Sequence, residues 1–218
     1  MHNEISTMIR KEVTLEWRQK FAFNGVLLYL VSTVFVCYLS FERIIDVPTW
    51  NSLFWIIMLF AAINATLKSF LQERDGRLLY YYTLLRPQSV INAKIVYNAI
   101  LLAALSIAGL LVFIAFLGNP VQNPGLFILN LFLGVVGFAA VLSMVSAIAS
   151  KARNNFTLMA VLSFPLVLPL LLVLIRVSAG AIDGASIAEQ APYLLVIVLL
   201  IAITAVLSNI LFPYIWKE

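Results

Sequence analysis

The sequence predicts an all-α, polytopic membrane protein with six transmembrane helices and no separate soluble domain. Three observations carry this. Hydrophobic residues make up 63% of the 218, charged residues only 11%, and the mean hydropathy is +1.02, whereas soluble domains average about 25% charged residues. The apolar tracts are also long enough to cross a hydrocarbon core, which takes about 20 residues per helix. Finally, no Asp, Glu, Lys or Arg falls between Lys94 and Lys151.

Residues 1–23 precede the first apolar tract. Ile5, Ile9, Val13, Trp17 and Phe21 recur every fourth position among charged residues, a spacing that fits an interfacial helix with Trp17 near the headgroups. The row drifts about 40° per step on a 3.6-residue helix, and a solvated tail is the other reading. The first span is 24–41. Its exit, Tyr38-Leu39-Ser40-Phe41-Glu42, lacks a small-x-small cleavage site, so it reads as a retained anchor rather than a signal peptide. The second span is 50–67, with Trp50 and Trp55 placed as interface residues.

Residues 68–94 form the one substantial polar connection. Spans 95–117 and 126–150 follow, joined by Gly118-Asn119-Pro120-Val121-Gln122-Asn123-Pro124-Gly125, which is turn chemistry throughout and makes an antiparallel hairpin. Lys151 to Asn155 is a tight basic turn, 156–175 the fifth span, Arg176 to Pro192 a longer loop, and 193–216 the sixth span. Small residues at four-residue spacing, Ala104/Ala108 and Ala139/Ser143/Ala147, let helix backbones approach closely. They serve packing within the chain or a seam between two copies. Pro165 and Pro169 each lack an amide and crowd the carbonyl four residues earlier, so the fifth span is expected to kink or break there.

The composition excludes several functions. Cys37 and His2 are the sole Cys and His, which removes the usual ligand sets for zinc or Fe–S clusters and any disulfide. With no ionisable residue placed inside a span, a proton-coupled carrier is not indicated. Asn64, Thr66, Ser106, Asn130, Ser143, Ser146 and Ser163 are expected to bond between helices. A nucleophile with a base, a carboxylate pair and a phosphate-binding G-x-x-x-x-G-K-[ST] loop are all missing, so the chain is not read as an enzyme. The net charge of +4 gathers into no single basic stripe, which argues against nucleic acid.

The 68–94 loop reads KSFLQERDGRLLYYYTLLRPQSVINAK. Charged residues surround Gly76, and Leu78, Leu79, Tyr82 and Leu85 then mark one face of a short helix closed by Arg86-Pro87. Ser89 is expected to cap the next helix. Such a helix suits the groove of another protein, or lies at the interface with its tyrosines among headgroups. The pattern Glu73-Arg74-Asp75-Gly76-Arg77-Leu78 with Leu84, Leu85 and Pro87, together with Phe164-Pro165-Leu166-Val167-Leu168-Pro169-Leu170, resembles the CcmB family, the haem exporter protein B permeases of cytochrome c maturation. Tyr80-Tyr81-Tyr82 and Arg86 depart from the family pattern.

That resemblance implies an ABC-2-like (type V) exporter permease in a bacterial inner membrane. Two copies of the chain would stand over two CcmA-type ATPases, joined by CcmC-type and CcmD-type membrane subunits and a CcmE-type haem chaperone. Glu73, Arg74, Asp75, Gly76, Arg77, Leu78, Tyr82, Leu85 and Pro87 would form the coupling element, and Pro165 and Pro169 a broken-helix element. ATP would sit on the ATPase and haem on the partner subunits, with no cofactor on this chain. The work would be haem export or release of haem-loaded chaperone. The alternative is a non-transporting scaffold that docks cytoplasmic proteins through the same loop.

Twelve of the fourteen Lys and Arg residues lie in the termini, the 68–94 loop and the 151–155 turn; Arg43 and Arg176 are the others. The positive-inside bias then places both termini in the cytoplasm. Cysteines at Ser69, Asn154 and Glu218 are expected to react with impermeant reagent only from the cytoplasmic side, and those at Asp46, Asn123 and Asp183 only from the other. Cytoplasmic labelling at Asn123 would reverse the topology.

Overall fold

The computed structural model describes residues 2–19, 21–41, 45–71, 86–149 and 155–217. Among these it contains seven helices: α1 (His2–Gln19), α2 (Phe21–Ser40), α3 (Val47–Leu71), α4 (Pro87–Leu117), α5 (Pro124–Ala149), α6 (Asn155–Ile182) and α7 (Ile187–Lys217). The last six are each long and apolar enough to cross a membrane. The chain is thus an all-helical, multi-pass membrane protein.

The helices outrun the apolar tracts because their ends are closed by chemistry outside the hydrophobic pattern. Asp46 caps α3, its Oδ2 accepting from the Thr49 amide at 3.1 Å. Hydrogen bonds from Thr49 hold the exposed Asp46 carboxyl below the ordinary carboxylate range. The cap therefore persists at neutral pH and is lost only as pH falls through that lowered value. Helix α4 starts at Pro87, with Arg86 as an N-cap lacking a side-chain bond. Ser89, expected as the cap, is instead buried inside the first turn, because proline's fixed φ and missing amide suit the first helical position. The expected loop 176–192 shrinks to residues 183–186: α6 runs on to Ile182, and Ser186 and Glu189 bond reciprocally to start α7.

Helix α5 is the centre of the bundle, packing against α3, α4, α6 and α7. Its small residues explain this position. Ala139, Ser143 and Ala147 are buried within the chain, while Ala104 is exposed and Ala108 half-buried, so only the first row is used for internal packing. A Cβ on Gly134 would stand 2.7 Å from the Trp55 ring. Trp55 and Trp50 are each 1% exposed and are core residues rather than the interface belt the sequence suggested. Trp50, Phe54, Phe113 and Phe127 stack in one cluster with ring centroids 5.1 to 6.1 Å apart. Outward faces are apolar: Leu28, Ile107, Leu111, Leu195 and Ile203 all keep more than half their surface open, as contact with lipid requires.

The end of the bundle holding the α4–α5 and α6–α7 connections is tied by backbone acceptors. Asn123 caps α5 through Leu126, and its Nδ2 donates to the Ala185 carbonyl at 2.9 Å. Its own amide donates to Ala181 at 2.9 Å. Trp50 Nε1 donates to the Gly118 carbonyl at 3.2 Å, where Gly118 has φ +78°, a conformation glycine adopts without steric cost.

Helix α6 passes through Pro165 and Pro169 without interruption, so of the two expectations, a kink or a break, the helix does not break. Both prolines lie on its exposed side, with Val167 and Leu170 buried opposite. The hydrogen bonds lost at the two prolines fall on one side, and the flanking turns keep the helix whole.

Gly134→Ala is expected to cost about 1–3 kcal/mol by overpacking against a rigid indole. The loss should appear as a lower melting temperature in detergent, and an unchanged melt would mean that Trp55 yields.

Candidate functional site

Lys94 lies eight positions into α4 and is 1% exposed. Its Nζ donates to the Ser69 carbonyl at 3.0 Å and stands 3.4 Å from Glu12 Oε2. Glu12, on α1, is 6% exposed, and its other oxygen accepts from Lys11 Nζ at 3.1 Å. Two ammonium groups thus share one carboxylate, and only Lys11 has substantial access to solvent.

The Ser69 carbonyl belongs to the last described turn of α3 (Val47–Leu71). The Lys94 ammonium therefore fastens α4 to that turn of the neighbouring helix. Residues 72–85 leave from this end of α3 and return at Pro87, so a single ammonium joins the two roots of the loop, and Glu12 fastens α1 to the same point.

This contact also decides how α1 lies. Met8 and Glu12, four residues apart, form its buried line, and Met8 packs with Val90, Ile91, Ala93, Ala147 and Phe212. Val13, on the predicted apolar row, is 39% exposed. Helix α1 is neither a solvated tail nor a helix resting on lipid alone; it is docked on α4. In the sequence Lys94 ends the polar loop and reads as a surface charge, so nothing there marks it as buried. At 31 residues, α4 is about 46 Å long against a core of about 30 Å, so Lys94 is buried in protein close to the helix start rather than at the bilayer midplane.

Of the expected site residues, Glu73, Arg74, Asp75, Gly76, Arg77, Leu78, Tyr82 and Leu85 lie outside the described residues. Pro87 is the first residue of α4, and Pro165 and Pro169 stand on the outer side of α6, on a different helix from the Lys94 contacts. Of the seven interior polar residues expected to bond between helices, Asn130, Ser143 and Ser146 do so. Asn98 Nδ2 donates to Ser143 Oγ at 2.8 Å, Asn130 Nδ2 to the Leu174 carbonyl at 2.9 Å, and Ser146 Oγ to Met159 Sδ at 3.2 Å. Asn64 and Ser163 bond within their own helices. Thr66 Oγ1 has no partner among the described residues. Asn51, which donates to the Ile175 carbonyl at 2.9 Å, and the reciprocal Asn92–Asn209 amide pair were not anticipated, since one asparagine in an apolar tract does not disclose its partner.

Lys94→Met should destabilise the chain by about 3–5 kcal/mol, because it leaves a buried carboxylate short of a partner. The double variant Glu12→Leu/Lys94→Met should lose less than the two single losses combined. Unfolding in detergent measures both, and additive losses would show that the two residues do not act as a pair.

The description "CcmB protein" belongs to the family model that matches residues 3–215 of the chain. No curated protein matches it, and no solved structure does. The family is that of an ABC transporter permease, a component of the haem-export system of cytochrome c maturation. With the match covering essentially the whole sequence and six apolar helices in the fold, the chain belongs to the CcmB family.

Proposed function

We propose that this chain couples ATP hydrolysis on a partner ATPase to movement of its own helix bundle, in an ABC-2-like (type V) complex of two copies and two CcmA-type ATPases. The observation that carries this reading is the family match over residues 3–215. The Lys94 contacts support it mechanically. A force applied to residues 72–85 reaches α3 and α4 together, since the Lys94–Ser69 bond ties the loop's two roots, and reaches α1 through Glu12. From α4 the force passes to the central helix through the Asn98–Ser143 bond.

On this reading the 72–85 segment is the coupling element, with Gly76, Leu78 and Tyr82 at the ATPase contact. The membrane is the bacterial inner membrane, and both termini lie in the cytoplasm. ATP stays on the ATPase and haem on the CcmC-type, CcmD-type and CcmE-type partners. The work done is haem export or discharge of the haem-loaded chaperone.

Gly76→Pro, Leu78→Asp and Tyr82→Asp are each expected to abolish co-purification of the ATPase while the chain stays in the membrane. Burying an unpaired carboxylate at an interface anchor costs several kcal/mol, on the order of losing the anchor itself. Retention of the ATPase and of its stimulation in all three variants would favour a scaffold that does not transport.

A further inference from the structure

Arg176 is exposed on α6, six residues before the helix ends at Ile182, or about 9 Å inside it along the axis. Its surroundings are apolar. Leu168 and Leu172, two turns and one turn earlier on the same side, are 41% and 65% exposed, and the prolines share this outward stripe. A guanidinium at that level has to reach the headgroup layer or find an anion.

The side chain is held rather than free. Its guanidinium carbon lies 4.7 Å from the centroid of the Tyr193 ring on α7, a cation–π contact. Tyr193 is brought there by the antiparallel approach of α7, where Gln190 lies over Gly180. The backbone beneath is pinned from inside the bundle: the Leu174 and Ile175 carbonyls accept from Asn130 and Asn51. Arg176 thus projects from a fixed turn, with its guanidinium held beside an aromatic ring.

Among the described residues no carboxylate pairs with Arg176. Asp183 is exposed, and Glu189 is engaged by Ser186. The ring contact supplies no oxygen acceptor, and the guanidinium carries N–H donors in a fork that matches phosphate oxygens. We propose that Arg176 and Tyr193 form a binding site for the phosphate of an anionic membrane phospholipid, whose acyl chains lie along the Leu168–Leu172 stripe.

The test places a fluorophore on Leu172→Cys in a Cys37→Ser background of the full-length chain, reconstituted into phosphatidylcholine vesicles. Nitroxide-labelled acyl chains are then introduced on phosphatidylglycerol or on phosphatidylcholine. The glycerol lipid should quench at about a fivefold lower mole fraction, the preference one basic residue confers for an anionic lipid. Arg176→Gln should make the two lipids quench alike, and Tyr193→Leu should narrow the difference. Equal quenching in the unsubstituted site, or an undiminished preference in Arg176→Gln, would overturn the proposal. So would relief of quenching by excess inorganic phosphate, which would identify a site for a soluble anion.

Discussion

The Lys94 ammonium, almost fully enclosed, has to be satisfied by protein because no water reaches it, and that requirement organises one end of the molecule. A buried cation left unpaired would cost far more than a helix contact contributes. Three elements therefore converge on Lys94: the last described turn of α3, its own helix α4, and Glu12 of α1. The pair need not add net stability, since desolvation offsets much of its attraction. What it supplies is position. It sets which side of α1 faces the bundle and how far apart the ends of the 72–85 segment stand.

A second constraint comes from the bilayer. Lipid gives helices no hydrophobic reason to associate, so close packing and polar bonds take over. Helix α5 meets this with small residues and glycines, which let large neighbours such as Trp55 and Leu170 seat directly on its backbone. Its polar contacts fix two neighbours: α4 through Asn98 on Ser143, and α6 through Asn130 to the Leu174 carbonyl and Ser146 to Met159 Sδ. The result is a rigid centre, while α2, among its described side chains, buries only the line Val26, Leu30 and Val34.

These two constraints meet in the coupling reading. The ionic contact at the loop roots and the amide–hydroxyl bond to α5 lie on one helix, α4, with Lys94 and Asn98 a single turn apart. Displacement at the loop has a short path of fixed contacts to the centre of the bundle. On that reading, the residues in this path are Lys94, Asn98 and Ser143.

Much of the architecture was legible in the sequence because lipid imposes a coarse requirement: about 20 apolar residues per crossing, with turn chemistry or charge between. Six spans, the 118–125 hairpin and the loop with its family pattern follow from that rule and from Glu73 to Pro87. Helix ends were legible less well, since Asp46, Arg86-Pro87 and Ser186 act through backbone geometry that hydropathy does not register. Tertiary structure alone decided that Trp50 and Trp55 are core, that Ser89 is not a cap, that Pro165 and Pro169 sit in a continuous helix, and that Lys94 is buried. The physical reason is common to all four. Whether a tryptophan or a lysine meets lipid, water or protein depends on which neighbouring helix arrives beside it, and a one-dimensional pattern carries the period of a helix but not the partner on its other side.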